Sequence, residues 1–229
     1  MRARRPGSAP GYDEWLRLGP SLLLLAACLA MPGCRRQAVE RPVQALHAKG
    51  EDALVQQAAN RCRQRIQEAA ATHAASAKRM NETKVLDMKE VTQREQIEAK
   101  REVVRKFLAS NEALRSLLVS EEGVFAEELA RLNLPAAALK SAQREFQSAV
   151  PGKAVAIRMR GADQRIGDSA LGALDFLDEI WGQWNYSKDY ERVQFSPPGA
   201  LRKYTEFMER IEAASREQSE LQQQSKDPG

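Results

Sequence analysis

The chain has 229 residues, 35 of them basic and 31 acidic, for a formal net charge of +4. Four arginines and two acids lie in residues 1–34, so the rest holds 31 basic and 29 acidic residues, a net +2. A charge that small, spread along the chain, excludes the footprint of a nucleic-acid-binding domain, and no nucleic-acid partner is expected.

The first element is an apolar run of 13 residues, Ser21 to Gly33, preceded by Arg2, Arg4, Arg5 and Arg17. A bilayer-spanning helix needs about 20 apolar residues, so the run is too short to span. It fits the apolar core of a secretory signal, and residues 1–33 read as a signal peptide. Two cysteines end or interrupt the run. Leu25-Ala26-Ala27-Cys28 and Met31-Pro32-Gly33-Cys34 both resemble the lipobox of bacterial lipoproteins. Cleavage before Cys28 leaves about seven apolar residues, the lower end of the working range. It would also leave Cys34 as a free thiol in an oxidising compartment. Cys34 is therefore the expected lipidation site, with Cys28 as the alternative.

The lipobox resemblance implies cleavage before the cysteine and acyl chains on it. It implies a membrane partner through that anchor and a chain facing the periplasm. Arg35 follows Cys34; the family's sorting rule takes an aspartate there as the sign of inner-membrane retention. The resemblance thus points to the outer membrane of a Gram-negative cell. Residues 34–50 read as the lipidated cysteine and its tether.

No glycine or proline occurs between Gly50 and Gly123, a run of 72 residues. That is a helical signal. Val55, Ala59, Cys62, Ile66, Ala69, His73, Ala77 and Met80 recur at steps of three and four, one face of a helix. Val85, Met88, Val103, Val104, Phe107, Leu114 and Leu118 supply a second apolar set. A lone alanine stripe cannot stabilise itself in water. The two halves of residues 51–119 are therefore expected to fold back as a long helical hairpin, bent near Asn81-Glu82-Thr83; the alternative is a single helix of about 108 Å. A sustained heptad is absent, so no dimeric coiled coil is expected.

Residues 120–214 read as a helical bundle. Ser120-Glu121-Glu122 looks like a cap with first-turn acids. Asn133-Leu134-Pro135 divides two helices, and Pro151-Gly152 makes the next break. The following helix is expected to be interrupted around Gly161 and Gly167. Ile166, Ala170, Leu174, Leu177, Trp181 and Trp184 form its stripe. Trp184 and Tyr186, then Val193 and Phe195, change to an alternating period. That predicts an extended segment or small β-hairpin near 185–196. Ser196-Pro197-Pro198-Gly199 opens a last helix, with Leu201, Tyr204, Met208 and Ile211 inward. Residues 215–229 lose the stripe and read as a polar tail.

The fold class expected is mainly α: a long helical hairpin plus a C-terminal bundle carrying a small extended insertion. Chemistry-bearing residues are sparse. His47 falls in the tether, and His73 reads as a packed histidine. Cys62 is expected to be buried on its stripe despite Arg61 and Arg63 beside it. Glu121-Glu122 and Glu127-Glu128 read as helix-start and solvated acids. Cys62 and His73 are eleven apart, about 16 Å along a helix, too far for one metal. Neither a metal nor a cofactor is expected. The binding candidates are Trp181, Trp184, Tyr186, Tyr190, Phe195 and Tyr204, which read first as local core and second as a recognition patch.

The layout loosely resembles small uncharacterised helical lipoproteins of Gram-negative envelopes over roughly Leu174 to Ile211. The expected function is protein binding or envelope scaffolding by a lipid-anchored, non-enzymatic protein with a protein partner. The alternative is an immunity or inhibitor lipoprotein that neutralises a periplasmic toxin or hydrolase. A membrane-tethered enzyme is a third reading.

Overall fold

A computed structural model describes residues 49–132, 134, 136–148 and 153–226. Cys28, Cys34, His47 and the segments expected to be signal peptide and tether, up to residue 48, lie outside the described residues.

The fold is mainly helical. The elements in chain order are α1 (Lys49–Glu82), α2 (Arg94–Val119), α3 (Glu121–Ala130), α4 (Ala136–Ser148), α5 (Lys153–Glu179), β1 (Trp184–Ser187), β2 (Arg192–Phe195) and α6 (Ala200–Lys226). The expected long hairpin is present: α1 and α2 are joined by residues 83–93 and pack on each other. The turn begins where Lys84 takes a left-handed backbone conformation, φ 46°. Lys100 of α2 donates to the Lys84 carbonyl at 3.0 Å, which staples the connection to the following helix. The glutamine pair at the start of α2 forms a reciprocal cap. Gln96 Oε1 accepts from the Gln93 backbone N–H at 2.9 Å.

The hairpin does not stand apart from the later helices. α2 packs on α5, and α5 on α6. Val104 and Phe107 of α2, Ile166 and Leu174 of α5 and Ile211 of α6 belong to one apolar core. A second core lies at the end where α1 begins. There Cys62 and Ile66 of α1 meet Leu114 of α2 and Phe125 and Leu129 of α3. α3 packs on α1, and α4 packs on α3. Phe125 and Phe146 stack with centroids 4.1 Å apart.

Several expectations are corrected. α5 runs unbroken through Gly161 and Gly167. Gly167 does not break the helix, because its missing side chain makes room for another one. A Cβ there would lie 2.8 Å from Leu108 Cγ. Gly172 sits likewise under the Phe207 ring, at 2.6 Å. Close approach of α2 and α6 to α5 offsets the usual cost of glycine in a helix, about 1 kcal/mol. Residues 215–226 are not a frayed tail: α6 continues to Lys226, with Gln218, Leu221 and Gln222 buried. Leu201 is 49% exposed rather than inward, while Tyr204 and Ile211 are buried. The Ser120 hydroxyl donates backward to the Ser116 carbonyl at 2.7 Å and makes no forward cap. Glu128 is buried rather than solvated, held by Arg131 at 2.9 Å and Arg65 at 3.4 Å.

The β-hairpin is antiparallel, with Trp184 opposite Phe195 and Tyr186 opposite Val193. These four share one face, as period-two alternation requires. They pack against the core, whereas Asn185 and Arg192 face solvent. Gly182 (φ 80°) lets the chain leave α5, and Gly199 (φ 77°) lets it enter α6. L side chains rarely adopt that conformation.

Candidate functional site

The six aromatic candidates are gathered at the end of the bundle opposite the start of α1. Trp181 and Trp184 meet edge to face, with centroids 5.5 Å apart and planes at 83°. The Trp184 indole N–H donates to the Leu177 carbonyl at 2.8 Å, which caps the end of α5. Phe195 lies 5.4 Å from the Tyr204 ring and 6.3 Å from that of Phe176. Trp181, Trp184, Tyr186 and Phe195 are half-buried against the core, and Tyr204 is buried. Tyr190 alone of the six is exposed, at 64%, with the Arg192 guanidinium 5.3 Å from its ring centre. Five of the six thus act as packing, and Tyr190 at the hairpin turn is the one exposed to solvent.

The same end carries a charge clamp. Arg94 Nε lies 2.5 Å from Asp178 Oδ1, and Arg101 donates to Oδ2 at 3.0 Å. The hydrogen bond from Arg94, helped by Arg101, holds the Asp178 carboxyl below the usual carboxylate range. This clamp fixes the start of α2 to the end of α5.

The middle of the bundle holds a polar cluster that the sequence reading did not assemble. His73 is buried on α1. Its Nε2 lies 3.1 Å from Asp163 Oδ2, and its Nδ1 lies 3.2 Å from the Ser110 hydroxyl. Asp163, also buried, takes the Arg160 guanidinium at 3.0 Å on the same oxygen. Gln218 of α6 donates to its other oxygen. Ser76 and Ser110 hydroxyls are 2.5 Å apart. Asn111 donates to the Arg160 carbonyl at 2.9 Å.

Serine, histidine and aspartate in a chain are the ingredients of a nucleophile, a base and an orienting acid. Here their surroundings assign a different task. Ser110 sits inside α2, where each backbone N–H bonds the carbonyl four residues back, leaving none to hold an oxyanion. Its hydroxyl also lies 2.8 Å from the Phe107 carbonyl of its own helix. The cluster braces α1, α2, α5 and α6 to one buried carboxylate. Asp163 lies in register with Ile166, Ala170 and Leu174, and Gln218 with Ile211, Ala214 and Leu221. A polar residue inside an apolar stripe was the available signal.

Cys62 is buried, 3.8 Å from the Glu121 carbonyl. Burial, and secondarily the Glu121 charge, pushes its thiol up to about 11. A thiol so rarely ionised at neutral pH is a poor nucleophile. Native protein should leave Cys62 unlabelled by a bulky maleimide over a period in which urea-unfolded protein labels fully; rapid native labelling would contradict its burial.

The described residues also include a recess of about 260 Å³ between α3 and α4, lined by Glu122, Gly123, Phe125, Gln143 and Phe146. Among the described residues, no helix is long and apolar enough to cross a membrane. No group of three or more His, Cys, Asp or Glu among them could hold a metal ion. Searches with protein-family models, the curated proteins and the solved structures found nothing that matches this chain.

Proposed function

We propose that this is a lipid-anchored, periplasm-facing helical protein that works by binding another protein or by scaffolding in the envelope. The observation that carries the reading is the arginine-led apolar run ending at Cys34. A single acyl chain gives only marginal membrane binding, so the multiple chains implied by the lipobox resemblance supply durable attachment.

The geometry of the fold suits that role. The tether enters at Lys49, and α1 carries the chain through 34 residues to Glu82, about 51 Å. The β-hairpin with exposed Tyr190 lies at the far end, where an anchored protein would meet a partner away from the lipid. In this reading Tyr190 and Arg192 are the contact residues, and Trp181, Trp184, Tyr186, Phe195 and Tyr204 hold the hairpin in place.

Metabolic labelling with a fatty-acid probe tests the anchor. Cys34→Ser should abolish labelling and leave unprocessed precursor, whereas Cys28→Ser should label and mature normally. Loss of labelling in Cys28→Ser alone would move the anchor to Cys28. Labelling in neither the parent chain nor either variant would remove the lipoprotein reading.

A further inference from the structure

The net charge of the whole chain hides a local excess. From Ala130 to Ala162 there are six basic residues, Arg131, Lys140, Arg144, Lys153, Arg158 and Arg160, against one acid, Glu145, a net +5. Three of the six are engaged inside the fold. Arg160 binds Asp163, Arg131 binds Glu128, and Lys153 lies 3.7 Å from Glu121. The other three, Lys140, Arg144 and Arg158, are exposed and form no ion pair with an acid among the described residues.

Their placement matters more than their number. Leu139, Ala142 and Phe146 turn one side of α4 toward the core, Lys140 and Arg144 are exposed on the other, and Gln143 is exposed at the edge, where it lines the recess against α3. That core is the one shared with Cys62 and Ile66, in the half of α1 nearest the tether. Fourteen residues separate Cys34 from Lys49, a reach of at most about 50 Å. The tether is therefore long enough to let this face lie on the bilayer that holds the anchor.

We infer that the outer face of α4, with Lys140 and Arg144, and the exposed Arg158 near the start of α5 dock together on the anionic phospholipid headgroups of the anchoring membrane. Basic side chains near an anionic surface attract it within a Debye length. Docking there sets the orientation of the molecule and directs the hairpin end away from the bilayer. The inference rests on the lipid-anchored reading, so its test has to separate the two.

The test uses acylated protein in vesicles of phosphatidylcholine, with or without phosphatidylglycerol, plus lipids carrying a quencher. A fluorophore is attached at Gln143→Cys on α4, or at Arg202→Cys at the far end. With phosphatidylglycerol, quenching at 143 should exceed quenching at 202 several-fold. It should be lost in pure phosphatidylcholine, at molar salt, and in Lys140→Gln/Arg144→Gln/Arg158→Gln. Equal quenching at the two positions, or quenching at 143 that survives the triple substitution, overturns the proposal.

If the chain proves not to be acylated, flotation of the unmodified chain with the same vesicles replaces this assay. On the order of one kcal/mol per basic residue corresponds to about fivefold each in partitioning. Parent chain should then exceed the triple variant by up to about 100-fold on phosphatidylglycerol vesicles only. Equal flotation overturns headgroup docking independently of the anchor.

Discussion

Asp163→Ala lowers the stability of the fold by about 3–5 kcal/mol, the cost of removing one partner from a buried charge pair. The carboxylate is fully buried and has partners from three helices: His73 on α1, Arg160 on α5 and Gln218 on α6. Its loss leaves the Arg160 guanidinium and the His73 ring buried without their shared carboxylate. Asp163→Asn should cost a similar amount, because the amide keeps the shape but not the charge. Replacing the pair together, Asp163→Leu with Arg160→Met, should recover part of the loss, since apolar residues of similar volume need no desolvation. Thermal melts decide this. The single substitutions should lower Tm by roughly 6–20 °C, at about 2–4 °C per kcal/mol for a chain of this size. A shift below about 2 °C for Asp163→Ala would show that the cluster is not what braces the helices.

Phe107→Ala should cost a comparable 3–5 kcal/mol, the usual penalty for deleting a buried aromatic ring. Phe107 is completely buried on α2. Its ring lies 5.1 Å from that of His73 on α1, and it borders the space above Gly167 on α5. The ring therefore fills the junction of three helices, and truncation leaves a cavity that none of them can close alone. Trp184→Ala gives the contrast. Trp184 is half-buried, and its indole bonds one carbonyl, so its loss should cost about half as much. If urea titrations showed Trp184→Ala equal to Phe107→Ala, the hairpin would be an integral part of the core. If Trp184→Ala left the midpoint unchanged, Trp184 would not act as packing, and the aromatic end would join Tyr190 in the proposed recognition surface.

Some of the architecture was legible because it depends on neighbours in sequence. The 72 residues without glycine or proline predicted the two long helices. The polar Asn81-Glu82-Thr83 marked their turn, and α1 does end at Glu82. The switch from steps of three and four to steps of two after Trp184 predicted the β-hairpin, found as Trp184–Ser187 paired with Arg192–Phe195. These signals are periodicities, and the backbone geometry of helix and strand imposes them locally.

The tertiary structure decided what the periodicities could not. Gly167 reads as a helix breaker in sequence, yet within α5 it is the space that Leu108 occupies. Residues 215–226 read as a tail because glutamine and serine replace the apolar stripe. Asp163 supplies a buried partner for Gln218, and the helix continues. Glu128 reads as a solvated acid until Arg61, Arg65 and Arg131 surround it. His73 and Asp163 are 90 residues apart, and nothing local in either stretch specifies the other. The sequence by itself determined the long helical runs of α1 and α2, the turn between them and the small β-hairpin. Only the packing decided which polar residues are buried, because burying a charge is tolerated when a partner arrives from another helix. That partner is fixed by how the helices assemble.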